Sequence, residues 1–336
     1  MQQVTGVGAF TDATANIINS NFNQIPWGGI ITGNVIYLDP ANTFQGSSDT
    51  NTGLSPQSAC LTLAGAYAKL RSGYNDGIVL LANGATSSTA RLSANFTWAK
   101  SAAHFFGACA PTLYGQRARV APATTATAFA NFFTVSGIGC VFANLEFFQG
   151  FTAGVAAEIA MTITGARNVF LNCQITAMAD TDAAGAQSAT SRHLKIGTSE
   201  NYFSHCVIGE DTVTRINANA SIEFYNGAGR NVFEDCILPA YGGAGGAPVF
   251  IKTAATNSMD RENIFRRCLF LNAIGSVATA MTAAITLNAN SGGLIVCDAG
   301  TGFVGCTAIA DSTSKAQTYL IGPATSGASG IGVVVT

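Results

Sequence analysis

The amino-acid sequence predicts an all-β solenoid, a single-stranded parallel β-helix whose coils stack on one another. Four short segments share one pattern, in which Asn, an apolar residue and Phe are followed by two free positions, Cys, any residue and an apolar residue. They span residues 168–175, 201–208, 231–238 and 263–270. Their cysteines lie 33, 30 and 32 residues apart. Repetition at such a period marks an architecture in which each unit buries its apolar face only by stacking on its neighbours.

The repeating unit is built from strands. Val, Ile, Tyr, Phe and Thr dominate the four copies, and Gly, Asn and Asp separate them. A second apolar run, such as Met161–Ile163 or Leu194–Ile196, lies upstream of each copy, and a turn such as Gly165–Arg167 separates the two. No ten-residue stretch of helical period occurs between 135 and 310. One coil therefore consists of a strand, a tight turn, a second strand, a sharp corner, a third strand and a longer loop.

The corner determines which side chains enter the core. Side chains alternate along a strand, so Phe and the Cys three positions later face the same way only if the two free residues bend the chain. With that bend, the phenylalanines form one internal stack at about 4.8 Å spacing, and the cysteines form a second. The predicted stacks are Phe170, Phe203, Phe233 and Phe265, and Cys173, Cys206, Cys236 and Cys268. We expect Cys306, from a weaker copy at 302–309, to extend the second stack, and Asn168, Asn201, Asn231 and Asn263 to form a ladder at the turn.

The same register predicts an apolar stripe on the outside of the solenoid. It turns Val169, Tyr202, Val232 and Ile264 outward. Apolar stripes of this kind usually mark an interface, so these residues are a predicted oligomer contact. The alternative is a register shifted by one residue, which would place the four side chains in the core.

Composition excludes several classes of partner. Only 10% of the 336 residues are charged, against roughly 25% in ordinary soluble proteins. The net charge is −2 and no basic cluster occurs, which argues against nucleic acid. The longest apolar region, 136–163, contains Asn144, Glu146, Gln149 and Glu158, so it does not resemble a membrane-spanning segment.

We expect the nine cysteines to pack in the core as free thiols, and we expect neither disulfides nor a metal site. Their number is odd, five recur at one place in the repeat, and no Cys-x-x-Cys pair or zinc-type spacing appears. No cofactor is implied. The start Met1-Gln2-Gln3 lacks a basic and apolar leader, so we expect synthesis in a reducing cytoplasm.

The N-terminal third differs in character from the repeats. We predict an arm at 1–33, an entry and capping module at 34–76, the solenoid at 77–315 with roughly eight or nine coils, and a closing segment at 316–336. Phe22, Ile25 and Trp27 make the arm a predicted docking element. The alternative is an arm that packs as a cap on the first coil.

Residues 35–85 resemble a known entry module. Val35–Pro40 forms a strand, the loop from Asp49 carries Asn and ends in Gly-x-Ser-Pro, and Leu61–Tyr67 contains a Thr-Leu-x-x-Ala sequence. This order is similar to that of tailed-phage virion proteins and bacterial surface proteins with a pectate-lyase-like, right-handed β-helix, in which the helix plugs the end of the solenoid. The resemblance implies a right-handed helix, a location on the virion and a homotrimer, since such β-helices are commonly trimers.

The loop of the entry module also has the composition of a cation site. Asp39, Asp49 and Asn51 are candidate calcium ligands. The alternative is a turn stabilised by bonds from these side chains to the backbone.

Candidate catalytic residues are few. The corner should stack Ser204 and His205 over Glu234 and Asp235, with Arg266 and Arg267 beyond them. That column is suited to acid–base work, but its alternative is a surface ladder of charges that neutralise one another. No acidic column spans three coils, so we expect no enzymatic activity.

The predicted solenoid, the short N-terminal arm and the low fraction of charged residues together predict a virion structural protein. We expect a trimeric capsid decoration or cement protein that contacts the major capsid protein. The alternatives are a tail or head fibre that binds host glycans, and a polysaccharide-degrading tailspike that depends on Glu234 or Asp235.

Overall fold

The chain folds as a right-handed parallel β-solenoid, as the sequence predicts. A computed structural model describes residues 32–110, 112–124, 130–150, 158–179, 188–243, 245, 247–272 and 279–321, and the backbone of 333–334. The predicted docking residues Phe22, Ile25 and Trp27 lie outside these ranges. Within the described part, no helix is both long and apolar enough to cross a membrane.

Three sheets, with strands numbered along the chain, run the length of the solenoid. Sheet 1 has eleven strands: β1 (Val35–Leu38), β2 (Asp76–Leu81), β5 (Ala103–Ala108), β8 (Val141–Ala143), β11 (Val169–Leu171), β14 (Tyr202–Ser204), β17 (Val232–Glu234), β20 (Glu262–Arg266), β23 (Leu294–Cys297), β25 (Thr318–Leu320) and β26 (Val333–Val334). Sheet 2 has eight: β3 (Ala90–Leu92), β6 (Arg119–Pro122), β9 (Glu146–Phe148), β12 (Gln174–Thr176), β15 (Val207–Ile208), β18 (Ile237–Ala240), β21 (Leu269–Asn272) and β24 (Gly302–Val304). Sheet 3 has seven: β4 (Phe96–Trp98), β7 (Asn131–Val135), β10 (Ile159–Ile163), β13 (Arg192–Ile196), β16 (Ala220–Phe224), β19 (Val249–Lys252) and β22 (Ile285–Thr286).

Neighbouring strands pair in parallel, except that β26 runs antiparallel to β25. The seven strands of sheet 3 correspond to about seven complete turns, fewer than the eight or nine that the sequence suggests. Sheet 1 begins at β1, ahead of residue 77, and continues to β25, beyond residue 315. The sheet thus extends into both of the segments that we expected to flank the solenoid.

A phenylalanine ladder fills the interior beneath sheet 1. The rings of Phe142, Phe170, Phe203, Phe233 and Phe265 stack with centroid separations of 4.9, 4.8, 4.6 and 4.5 Å and with planes within 8° of parallel. All five side chains are fully buried. Because the rings have the spacing of neighbouring strands, one residue type repeated at one position builds a continuous core.

The cysteines lie inside the solenoid, just past the bend between sheets 1 and 2. The bend is made by one residue per coil in the left-handed backbone region, for example His205 at φ 52° and Asp235 at φ 53°. Each thiol then reaches the Phe carbonyl of the preceding coil; the Sγ–O distances are 3.4 Å for Cys173, Cys206 and Cys268 and 3.6 Å for Cys236. Burial raises the pKa of the Cys206 and Cys236 thiols well above the ordinary value, so these residues serve as small hydrophobes.

Cys306 does not extend this column, contrary to our expectation. Phe303 stacks on Phe270 in sheet 2, with ring centroids 4.6 Å apart, and not on Phe265 in sheet 1. The weak repeat copy is therefore shifted by one sheet. The position in the cysteine column belongs to Thr301, whose hydroxyl donates to the carbonyl of Phe265 at 3.1 Å, as the thiols do in earlier coils.

The four asparagines line the turn that leads into sheet 1, where they link successive coils. Asn201 Oδ1 accepts from the backbone N–H of Asn168 at 2.9 Å, and Asn231 Oδ1 accepts from that of Asn201 at 3.0 Å. The Asn231 amide donates to Asn263 Oδ1 at 2.9 Å. All four side chains are buried, so the ladder supplies acceptors for backbone groups that the sheets leave unpaired.

The entry module ends in a helix at the open end of the solenoid. Helix α1 (Leu63–Lys69) is capped by Thr62, whose hydroxyl accepts from the Gly65 N–H at 3.0 Å. Its buried Leu63 joins Ile36 in the core, as expected of a helix that plugs the first coil. Short 3₁₀ helices occur at Pro56–Ser58, Thr86–Ser88 and Lys315–Gln317.

Hydrogen bonds between polar side chains and the backbone hold the loop between β1 and α1. Asp49 accepts from the backbone N–H groups of Leu61 and Thr62 at 3.0 and 2.8 Å and from the Thr62 hydroxyl at 2.6 Å. Asn51 donates to two backbone carbonyls, and Asp39 Oδ2 accepts from the Phe44 N–H at 3.2 Å. These bonds match the alternative to a calcium site, a turn stabilised by bonds from these side chains to the backbone.

Candidate functional site

One outward column of sheet 1 is almost entirely apolar. We call this column the apolar stripe: Val35, Gly77, His104, Val141, Val169, Tyr202, Val232, Ile264, Val296 and Tyr319. Eight of its ten members are apolar or aromatic. The four residues that the sequence singled out remain partly exposed, whereas the phenylalanines beside them are fully buried. The structure therefore places these four on the outer side of the sheet.

The second outward column of sheet 1 changes character halfway along the solenoid. Its members are Tyr37, Val79, Phe106, Ala143, Leu171, Ser204, Glu234 and Arg266. Through Leu171 it is apolar, and it packs with the stripe into small outer clusters, one of which contains Val141, Leu171 and Tyr202. From Ser204 onward the column is polar.

A charged cluster occupies the bend beside this polar half, and we call it the charged corner: Tyr202, Ser204, His205, Glu234, Asp235 and Arg267. Arg267 binds both oxygens of Asp235, at 2.8 and 2.9 Å, and also Glu234 Oε1, at 2.7 Å. The Tyr202 hydroxyl donates to the other oxygen of Glu234.

These contacts keep both carboxylates ionised. The hydrogen bonds from Tyr202 and Arg267 lower the pKa of Glu234, and the bond from Arg267 lowers the pKa of Asp235. A general acid that works near neutral pH needs a raised pKa. The corner therefore matches the ladder of mutually neutralising charges better than it matches an acid–base pair.

The corner also brings together a serine, a histidine and an aspartate, the residue types of a nucleophilic triad: Ser204, His205 and Asp235. Ser204 Oγ lies 2.8 Å from His205 Nδ1. His205 Nε2 is 3.9 Å from Asp235 Oδ2, beyond hydrogen-bond distance, and the side chain of His205 is 65% exposed. Because Asp235 is bound through both oxygens to Arg267, it does not orient the imidazole as a nucleophilic triad requires.

The outward column of sheet 3 is polar from end to end. It contains Thr97, Thr134, Thr162, Lys195, Glu223, Lys252 and Thr286. Glu223 pairs with Arg192 at 2.6 Å and with Lys195 at 3.3 Å. The sequence analysis did not identify this face, although threonine and lysine at the outward positions of the upstream runs would have indicated it.

The sequence analysis also missed a buried polar cluster at the edge of sheet 3. Arg215 is fully buried and donates to Asn219 Oδ1 at 2.7 Å, to Ser221 Oγ at 3.1 Å and to the Val249 carbonyl at 3.1 Å. Burial lowers the pKa of Arg215 to about 9. Its three partners tie the loop before β16 to the strands, which is a structural role. No repeated pattern precedes Arg215, so periodicity alone gave no sign of it.

Comparisons with known proteins add the following likenesses. No family model and no curated protein matches the chain. Among solved structures, the pectin methylesterase PemA from Erwinia chrysanthemi is 12% identical over 81% of this chain and 81% of its own, with a TM-score of 0.49. Pectate lyase Pel9A is 14% identical over 94% and 85%, with a TM-score of 0.46. ORF18 of Geobacillus virus E2 is 13% identical over 82% of this chain and 53% of its own, with a TM-score of 0.43.

Proposed function

We propose that this protein is a structural component of a virus particle, a trimeric capsid decoration protein whose copies associate through the apolar stripe. The observation that carries the proposal is the stripe itself: its first four residues are buried, and the six from Val169 to Tyr319 are all apolar or aromatic and partly exposed. Exposed apolar surface of this extent marks sites of protein association. Association would remove the partly exposed side chains from water, at about 25 cal/mol per Å² of apolar surface.

The viral setting rests on the entry module and on the composition. The strand, loop and helix of residues 35–85 resemble the entry module of tailed-phage virion proteins. The low charged fraction of 10% fits a molecule that covers much of its surface with other subunits. Attachment to the head and contact with the major capsid protein are parts of this proposal.

A glycan-cleaving function has less support. It would place Glu234 and Asp235 at the centre of the chemistry, yet both carboxylates are bound to Arg267 and their pKa values are lowered. A fibre that binds glycans is the second candidate. The polar outer column of sheet 3 favours it, because threonine hydroxyls and lysine amines can bond to sugar hydroxyls.

Two measurements test the proposal. Light scattering of the purified protein should give three times the chain mass of 34.4 kDa, and a monomer at high concentration would contradict self-association. Quantitative mass spectrometry of purified particles, with the major capsid protein as reference, should find hundreds of copies per virion. A few dozen copies or fewer would favour a tail or fibre location, and absence from particles would overturn the viral assignment.

A further inference from the structure

The loop between β15 and β16, residues 209–219, contains two charged side chains that are buried. Arg215 is 0% exposed and Glu210 is 7% exposed. Arg215 donates three hydrogen bonds, all of them to neutral groups. A guanidinium has further N–H groups beyond the three that make these bonds. Because a buried charge is costly unless it is paired and fully hydrogen-bonded, Arg215 requires more polar partners than these neutral groups provide.

His193, in the neighbouring strand β13, is fully buried and has an N–H group without a partner. Its Nδ1 accepts from the Ala177 N–H at 2.9 Å, and burial lowers its pKa well below the ordinary value, so the ring is neutral. A neutral imidazole whose Nδ1 is an acceptor has its proton on Nε2. That Nε2 atom is buried and has no hydrogen-bond partner in the part of the chain that the structure describes. His193 is therefore an unpaired donor inside the protein.

The unpaired donor of His193 lies close to the side chain of Arg215. The residues on either side of His193 pair with the residues on either side of Ser221. The side chains of His193 and Ser221 are therefore neighbours that point the same way, at a strand spacing of about 4.8 Å. Ser221 Oγ in turn accepts from Arg215 at 3.1 Å. After burial, the positive charge of Arg215 is the next cause of the low pKa of His193, which agrees with this proximity.

Glu210 adds an unpaired acceptor near the same guanidinium. Its Oε2 accepts from the N–H and the hydroxyl of Thr212, at 2.7 and 2.5 Å, and from the Val213 N–H at 3.0 Å. Its Oε1 is buried and has no hydrogen-bond partner within the described ranges. Burial raises the pKa of Glu210, and the bonds from Thr212 and Val213 and the charge of Arg215 oppose that rise. The carboxyl group is thus within electrostatic range of Arg215.

We propose that a buried water molecule binds at this site and bridges His193, Arg215 and Glu210. The water accepts from His193 Nε2 and from an N–H of Arg215, and it donates to Glu210 Oε1. A buried water commonly makes about three hydrogen bonds to groups that are otherwise unpaired. A small anion would accept from the two donors but would leave the Glu210 oxygen facing a like charge, and a cation would be repelled by Arg215. Water is the ligand that satisfies all of these groups.

The bridge connects the loop 209–219 to the strand of sheet 3 that precedes it in the stack. Arg215 and Glu210 become a water-separated ion pair, so each charge is balanced inside the protein without direct contact. The site lies within a single chain. It is therefore independent of the self-association that we propose above, and its test does not depend on the oligomeric state.

A high-resolution crystal structure of the parent protein tests the site directly. We expect density for a solvent atom within hydrogen-bond distance of His193 Nε2, Arg215 and Glu210 Oε1. Crystals soaked in bromide should show no anomalous scattering at this position. Absence of density would overturn the proposal, and bromide bound there would identify an anion site in its place.

A double-mutant cycle tests the bridge in solution. His193→Asn removes the Nε2 donor, while the amide oxygen of asparagine can still accept from Ala177. Glu210→Gln replaces the unpaired acceptor with an amide donor. Residues that share a partner have non-additive effects, so the change in the unfolding equilibrium constant for the double variant should differ from the product of the single changes by at least about twofold.

Glu200→Gln is the matched control, because Glu200 is a partly exposed carboxylate of the same coil. Combined with His193→Asn, it should give the product of the single changes. The same simple product for His193→Asn with Glu210→Gln would contradict the bridge. The crystallographic test uses no variant, so it decides the proposal if His193→Asn does not fold.

Discussion

Sheets 1 and 3 are built alike on the inside and differently on the outside. Both are parallel sheets whose inward positions are fully buried. Stacked phenylalanines occupy these positions in sheet 1, and residues such as Leu194 and Ile222 occupy them in sheet 3. One outer column of sheet 1, the apolar stripe, is apolar or aromatic at eight of its ten positions, whereas the outer column of sheet 3 consists of Thr, Lys and Glu. Since the same coils supply both columns, folding alone does not account for the difference.

This difference between the outer columns shows that inward and outward positions are subject to different requirements. Inward columns must be apolar in every sheet, because each coil has no other way to bury its surface. Outward columns are free of that requirement, and their composition reflects what each face contacts. Under the proposed function, the apolar stripe of sheet 1 contacts another subunit and the polar outer column of sheet 3 contacts water.

The largest expected effect on stability comes from comparing an inward and an outward residue of the same strand. Phe233→Ala removes a fully buried ring stacked at 4.6 and 4.5 Å on its two neighbours. It should lower the free energy of unfolding by about 3–5 kcal/mol, through lost burial and the cavity left behind. Val232→Ala, one residue earlier and outward, should cost the monomer about 1 kcal/mol or less. Denaturant unfolding measures both, and equal losses would contradict the register.

Acid should destabilise the chain through two buried histidines, one in sheet 1 and one in sheet 3. Burial lowers the pKa of His104 in sheet 1 to about 4 and that of His193 in sheet 3 well below its ordinary value. Nδ1 of each ring accepts a backbone N–H, at 3.1 Å from Val141 and at 2.9 Å from Ala177. The unfolded chain therefore binds protons first as the pH falls, so stability is complete above about pH 6.5 and decreases below it.

The decrease should amount to at most about 1.4 kcal/mol per pH unit for each histidine, and for His104 it should end near pH 4. Thermal unfolding between pH 7 and pH 4 measures it. His104→Gln should reduce the dependence of stability on pH. His205→Gln, which replaces a side chain that is 65% exposed, is the control and should leave that dependence unchanged. A parent protein whose stability is constant across this range would contradict the buried, neutral state of both rings.

The asparagine ladder at the turn between sheets 3 and 1 should have an intermediate effect. Asn231→Ala removes the acceptor of the buried Asn201 N–H and the donor to Asn263 Oδ1. An unsatisfied buried group costs about 1–3 kcal/mol, so unfolding should require that much less free energy. Asn290→Ala, at an exposed position, is the control and should change stability by less than about 0.5 kcal/mol. A loss no larger than that of the control would mean that the ladder adds nothing to the stability of the turn.

Repetition explains how far the sequence could predict this molecule. The Phe, Cys and Asn positions recur in four copies, so an error in one copy would have shown against the other three. Cys306 belongs to a single weak copy, and there the prediction that it extends the cysteine stack was wrong, because Phe303 pairs with Phe270 in sheet 2. Arg215 has no counterpart in other coils, and its burial depends on a loop whose path the repeat does not specify.

The smallest expected effect concerns the charged corner, and it tests whether the polar half of the outer column is chemically active. Asp235→Asn and Glu234→Gln each weaken an exposed ion pair with Arg267. Exposed pairs contribute about 0–1 kcal/mol, so stability should change little. If the corner is a neutralised ladder, neither variant should alter the effect of the protein on host capsular polysaccharide, assayed by release of reducing ends. Cleavage by the parent protein that either variant abolishes would make the corner an active site, and the contrast between sheets 1 and 3 would then reflect substrate binding as well as assembly.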